Sequence, residues 1–171
     1  LLEGLNPCDM KPYLLLFFFM FSLLSVAQKK TYYNELGERA RKNKATYYKV
    51  LSKTEDNLWK MEQFYMSGTP KFIGYAKKKD FKGKVGTHLS YCSSGKLKIK
   101  SIYKNGKRSL KEAYYESSNI KAIEKYNDFG WFSNKKTFYE SGKLETDVSY
   151  EYSSDDKSTP TIIAFSYYEN G

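Results

Sequence analysis

The sequence is short of the residues that most chemistry needs. It has one histidine, His88, and two cysteines, of which Cys8 lies within the first nine residues. A single histidine cannot supply the paired ligands of an HExxH metal site. As a general base it would need a nucleophile and an orienting carboxylate, and no spacing identifies either. Cys92 alone cannot close an intramolecular disulfide. It reads as a tolerated turn residue or as a thiol open to an intermolecular bridge. No GxxxxGK[ST] segment opens a helix, so the Gly-Lys pairs at 95–96, 106–107 and 142–143 read as turn exits, not phosphate loops. Asp155 and Asp156 lack the spacing of a calcium loop. The expectation is a protein that is not an enzyme and uses no catalytic residue, metal or cofactor. Proline is scarce too, at 4 of 171 residues. No apolar run reaches the roughly 20 residues of a comfortable membrane-spanning helix.

What the chain does have is aromatic. Its 17 tyrosines and an aromatic content of 18% argue for ordered β structure and against disorder. The net charge is +10, which favours anionic partners such as phospholipid headgroups or acidic glycans. A lysine-rich face that keeps a sheet soluble and blunts its edges is the plainer reading.

Residues 1–9 precede a natural-looking start at Met10 and read as upstream or non-native sequence. Residues 10–27 have the form of a secretory signal helix. Met10-Lys11 is a short basic start, Leu14 to Leu24 is apolar, and Ser25-Val26-Ala27 supplies small residues for cleavage. The alternative is a retained N-terminal anchor. Residues 28–58 are expected to hold a strand at Thr31–Tyr33, a turn at Asn34–Gly37 and a second strand at Ala45–Ser52. A polar loop follows at Lys53–Asn57, and the chain returns along Leu58–Tyr65. Glu38 to Ala45 is read as loop, with a helical turn as the alternative because Glu, Arg, Ala and Lys form helices well.

From residue 59 to 171 a four-residue word recurs. Its forms are Tyr65-Met66-Ser67-Gly68, Tyr103-Lys104-Asn105-Gly106, Tyr139-Glu140-Ser141-Gly142 and Tyr168-Glu169-Asn170-Gly171. Tyr103-Lys104-Asn105-Gly106 is taken as the plain form. Two copies read as carrying an extra residue: Tyr91-Cys92-Ser93-Ser94-Gly95 and Tyr115-Glu116-Ser117-Ser118-Asn119. Asn-Gly and Ser-Gly between alternating segments signal hairpins, because tight turns need positive φ. The flanks alternate with period two, as in Leu144-Thr146-Val148-Tyr150 against Glu145-Asp147-Ser149-Glu151. A recurring word marks a repeat architecture. The fold expected is all-β: a repeat-type antiparallel meander of consecutive hairpins in one long, twisted single sheet.

The words YKNGK, YESGKL and YYENG resemble the degenerate MORN-variant, antitoxin-like repeats of bacterial exported proteins. The opening block KKTYYNELGERARKNKATYYKV with its hairpins is similar to the periplasmic repeat region of TonB-type energy transducers of Bacteroidetes. The resemblance implies an exported, non-enzymatic binding scaffold in the periplasm, at the outer membrane or on the cell surface. Its partner would be a protein or an envelope polymer. The alternative it implies is the periplasmic region of an energy transducer with a further C-terminal domain. An array that stops inside its own word at Gly171 fits more repeats or such a domain beyond it.

Three loops complete the reading. Lys77 to Lys84 is basic and loosely matches a heparin-type pattern, or is simply solvated. Asn127 to Asn134 is read as an aromatic loop, with Phe129, Trp131 and Phe132 a candidate contact patch or a cover for the sheet. Ser153 to Pro160 is polar. Lysine and tyrosine interleave as in single-strand binders, but export argues against nucleic acid. A peripheral contact with an anionic membrane remains open.

Overall fold

The computed structural model describes residues 29–153 and 159–170. The leader at 1–9, the signal helix at 10–27, the Asp155–Asp156 pair and Gly171 lie outside the described residues. Among the described residues eleven strands form one open sheet in sequence order, each antiparallel to the next. They are β1 (Thr31–Tyr33), β2 (Tyr47–Lys53), β3 (Trp59–Tyr65), β4 (Pro70–Ala76), β5 (Lys84–Tyr91) and β6 (Leu97–Lys104). The sheet continues through β7 (Lys107–Tyr114), β8 (Ile120–Tyr126), β9 (Phe132–Phe138), β10 (Leu144–Glu151) and β11 (Thr161–Ser166). Residues 38–45 are loop apart from a single bridge from Arg39 to Tyr33 and a 3₁₀ turn at Lys42–Lys44, so the helical turn covers only part of the stretch.

A single layer has no second layer to bury its faces. Among the described residues only Val50, Met61 and Ala76 are buried hydrophobic residues, and no large side chain is fully buried. Side chains lying along the sheet do the covering instead. The register sets Lys100 opposite Glu112, Lys111 opposite Glu124 and Lys136 opposite Asp147. These pairs close at 3.0, 3.1 and 2.8 Å. Tyrosines then cap the carboxylates from two residues along the same strand: Tyr114 donates to Glu112 at 2.8 Å and Tyr126 to Glu124 at 2.7 Å. Opposed pairs of this kind contribute roughly 0.2–1 kcal/mol each.

Eight of the turns share one geometry. The lead residue donates its N–H to the carbonyl four residues on, and the residue three on donates back to the lead carbonyl. The leads are Asn34, Thr54, Tyr65, Lys78, Cys92, Tyr115, Asn127 and Tyr139. The residue three on is left-handed each time, with φ between 63° and 92°. This is a three-residue hairpin loop whose last residue forms a glycine-type bulge.

That geometry corrects four sequence expectations. Cys92, not Tyr91, occupies the lead of its turn, and Tyr91 is the last residue of β5. Ser118, not Asn119, is the left-handed residue of the Tyr115 turn (φ 74°). Neither copy therefore carries an extra residue. Tyr103-Lys104-Asn105-Gly106 is the exception, not the plain form. There Asn105 (φ 49°) and Gly106 (φ 82°) are both left-handed and alone join β6 to β7, as in a type I′ turn. Finally, residues 127–134 are not a loop. Asn127 leads a turn of the common kind, with Gly130 left-handed, and Phe132 opens β9.

Candidate functional site

Because hairpins alternate ends, the turns divide between the two ends of the strands. Four tyrosine-led words gather at one end, with Tyr65, Tyr115 and Tyr139 leading hairpin turns there beside the Cys92 turn and Tyr168 following β11, while the Tyr103 word lies at the other end. Each lead phenol reaches the backbone just before the next lead. Tyr65 donates to the carbonyl of Tyr91 at 3.0 Å, Tyr115 to Phe138 at 2.8 Å and Tyr139 to Tyr167 at 2.8 Å. In three of these turns the residue after the left-handed position makes a second link. Lys96 donates to the Glu116 carbonyl, Asn119 to Glu140 and Lys143 to Glu169. Gly68, Gly95 and Gly142 supply the left-handed positions. These word residues therefore staple turn to turn, and Tyr65, Tyr91 and Cys92 also line an open cleft of about 490 Å³.

Leads without a phenol behave differently. Asn127 caps its own turn, its Oδ1 accepting from the N–H groups of Phe129 and Trp131 at 3.0 Å each. Thr54 and Asn34 accept in the same way from Leu58 and Glu38.

At the opposite end lies the expected contact patch, which the structure divides. Phe129 stacks on Trp131 (centroids 5.2 Å apart, planes 25°), and Trp131 packs on Tyr152 at 5.0 Å. Phe132 belongs to a second group, between Tyr126 at 4.8 Å and Tyr150 at 5.6 Å. Phe129 is 56% exposed. Lys107 donates to the Asp128 carbonyl at 3.0 Å and lies 5.7 Å from the Phe129 ring centre, bracing the turn. Tyr152 is a member that sequence reasoning missed, since no word or spacing connects it to Trp131.

Tyr103, of the exceptional turn, joins a third cluster. Its ring lies 4.5 Å from His88, which also meets Phe72 and Phe81 at 5.7 and 5.6 Å. The Arg108 guanidinium donates to the phenols of Tyr103 and Tyr126. Here β5 carries extra residues: the register runs Ile73–Leu89 and then Tyr75–Val85. Gly74 thus faces Gly86, Thr87 and His88. The His88 ring fills the resulting gap in the ladder, its Nε2 2.8 Å from the Tyr75 carbonyl and 3.2 Å from the Tyr75 amide nitrogen. Burial lowers the His88 pKa, and Lys84 and Arg108 act in the same direction against the raising effect of its backbone hydrogen bonds. The ring is committed to backbone, with the buried Ser101 opposite it in the β5–β6 register.

The chain matches no family model and no curated protein. Functional reading therefore rests on geometry and on the words themselves. Among the described residues no three His, Cys, Asp or Glu side chains gather to hold a metal ion.

Sequence reasoning also missed a basic cleft beside β1 to β3, with a volume of about 580 Å³. Lys29, Lys30, Arg39, Lys49 and Lys79 line it together with Tyr32, Leu51 and Trp59, and among the described residues no carboxylate does. Lys79 lies 5.3 Å from the Trp59 ring centre. Hydrogen bonding from Lys49, aided by the charge of Lys49 and Arg39, lowers the pKa of the nearby Tyr33 phenol despite its partial burial. The only local signal was a charge bias: residues 29–53 hold eight Lys and Arg against two Glu.

Proposed function

We propose that the chain is a non-enzymatic exported repeat protein that works as a binding scaffold in the cell envelope, of the MORN-variant kind its words resemble. The observation that carries this reading is the Phe129–Trp131–Tyr152 patch. It is a stacked aromatic surface on a braced turn, at the rim of a sheet whose faces are not covered by another layer. Exposed aromatic clusters held in fixed geometry are the usual anchors of protein and polymer contacts. The signal-like segment at 10–27 supports export to the periplasm, the outer membrane or the cell surface, and the basic surface supports an anionic envelope setting. The partner is a protein or an envelope polymer.

The test is affinity retention of envelope extract on the immobilised chain, compared with a Phe129→Ala/Trp131→Ala double variant. The scaffold reading expects a specific component that the double variant no longer holds. Equal retention by both would remove the patch as the binding surface.

A second reading is the periplasmic repeat region of a TonB-type energy transducer. It is favoured by β11, where Ile162 and Phe165 (58% exposed each) and Ile163 (41%) leave both faces of one strand apolar and open, as a docking strand would. Reading the coding frame downstream of Gly171 distinguishes the two, since an energy-transducing domain there selects the second.

A further inference from the structure

We infer that the cleft at Trp59 binds an acidic polysaccharide, a linear sugar polymer bearing repeated anionic groups. This rests on the scaffold reading and names its ligand class and site. Five cations converge on one concavity whose lining, among the described residues, holds no carboxylate. Such a cleft focuses a positive field on whatever enters it. The carboxylates adjacent in sequence to Arg39 and Lys79 are engaged elsewhere: Glu38 accepts from Asn34 at 2.9 Å, and Asp80 pairs with Lys82 at 3.5 Å.

The shape calls for a polymer rather than a single ion. A second cleft, of about 500 Å³, shares Arg39 and Ala40 with the first and adds Arg41 and Lys44, again without a carboxylate in its lining. The basic track therefore runs from one cleft into the next. Arg39, at the junction, offers a planar fork that fits a carboxylate with two hydrogen bonds.

The aromatic rings separate sugar from nucleic acid. Single-strand binders offer open ring faces on which bases stack. Here Lys79 covers Trp59, and Tyr32 packs on Tyr48 with centroids 6.0 Å apart. What the cleft presents is charge, hydrogen-bond donors and small apolar walls, the groups that read an acidic pyranose. A bilayer is also a poor fit. Near the clefts one strongly exposed apolar side chain, Leu36 of the β1–β2 connection, stands alone, whereas Phe129, Ile162 and Phe165 belong to the β8–β9 turn and β11, at the other side of the sheet.

The test titrates the full chain with a galacturonic-acid oligosaccharide, following tryptophan fluorescence and heat. The comparators are a neutral galactose oligosaccharide of equal length, a single-stranded oligonucleotide and phosphatidylglycerol vesicles. Saturable binding of the acidic oligosaccharide is expected, weakening as salt rises. An Arg39→Glu/Lys79→Glu variant should bind at least about tenfold more weakly. Both side chains are exposed, so the variant should keep its fold, and an unchanged melting curve verifies this. Absence of binding, equal binding of the neutral sugar, indifference to the double variant, or tighter binding of the oligonucleotide or vesicles would each overturn the proposal. If galacturonate fails while Phe129 and Trp131 still retain an envelope component, the cleft falls and the scaffold stands.

Discussion

At the scale of single residues the chain's one histidine is closely confined. A methyl group on Gly74 would lie 2.8 Å from His88 Nδ1 and 2.7 Å from Phe72 Cζ. The Phe72 tip can swing away, but the His88 ring is held by the Tyr75 backbone and by Tyr103. Gly74→Ala should therefore cost roughly 1–3 kcal/mol, as overpacking does, read as a lower urea midpoint with an unchanged slope. The same ring predicts a pH dependence. Its folded pKa lies below the unfolded value of about 6.5. As pH falls, the unfolded chain takes up the proton first, so the stabilisation is complete above about pH 6.5 and is lost as acidity increases toward the folded value. Urea midpoints should decline between about pH 6.5 and pH 5, before carboxylates with reference values near 4.3 titrate. In His88→Gln that decline should flatten. An equal decline in both proteins would assign it to other groups.

At the scale of elements, the lead position of each turn decides whether a hairpin is tied to its neighbour. A tyrosine there ties it; an asparagine or threonine closes only its own turn. Cys92 occupies a lead in the tyrosine row without a phenol, so its hairpin lacks the tie that Tyr65, Tyr115 and Tyr139 make. Tyr139→Phe should cost about 0.5–1.5 kcal/mol, the net worth of one hydrogen bond. Cys92→Tyr should gain a similar amount by reaching the Tyr114 carbonyl, and both are measured by chemical denaturation. The strands were legible beforehand because period-two alternation and Gly or Asn turns are local signals. The phase of two words was not, because Tyr91 and Cys92 compete for one lead and Ser118 and Asn119 for one left-handed position. Only the hydrogen bonds across the turn decide between them. Phe81 at φ 67° left no sequence trace at all, since a bulky residue is strained there and persists through its packing on Phe72 and His88. The basic cleft was illegible for another reason. Lys29, Arg39, Lys49 and Lys79 are scattered in sequence and meet only through the β1–β2–β3 register and the β4–β5 turn.

At the scale of the molecule, each strand pairs only with the strands beside it, side-chain links such as Tyr65 to the Tyr91 carbonyl and Lys71 to the Tyr47 ring reach one strand further, and among the described residues no second layer ties distant strands together. Stability in such an array is a sum of local terms and nearest-neighbour interfaces, so cooperativity decays with distance. The buried polar groups His88, Ser101 and Glu124 lie on β5, β6 and β8, while every residue of β11 is exposed. Strand β1 contributes only three residues to the ladder. Native-state hydrogen exchange should therefore be graded, slowest in β4 to β8 and fastest in β1 and β11, with the strands opening at different free energies. Gly74→Ala sharpens the expectation. It should lower protection in β4 and β5 and in the strands that flank them, and leave β9 and β10 close to wild type. If the variant instead lowered every strand equally, the sheet would be opening as one cooperative body, and the turn-to-turn ties of the tyrosine row would have to carry coupling along its whole length.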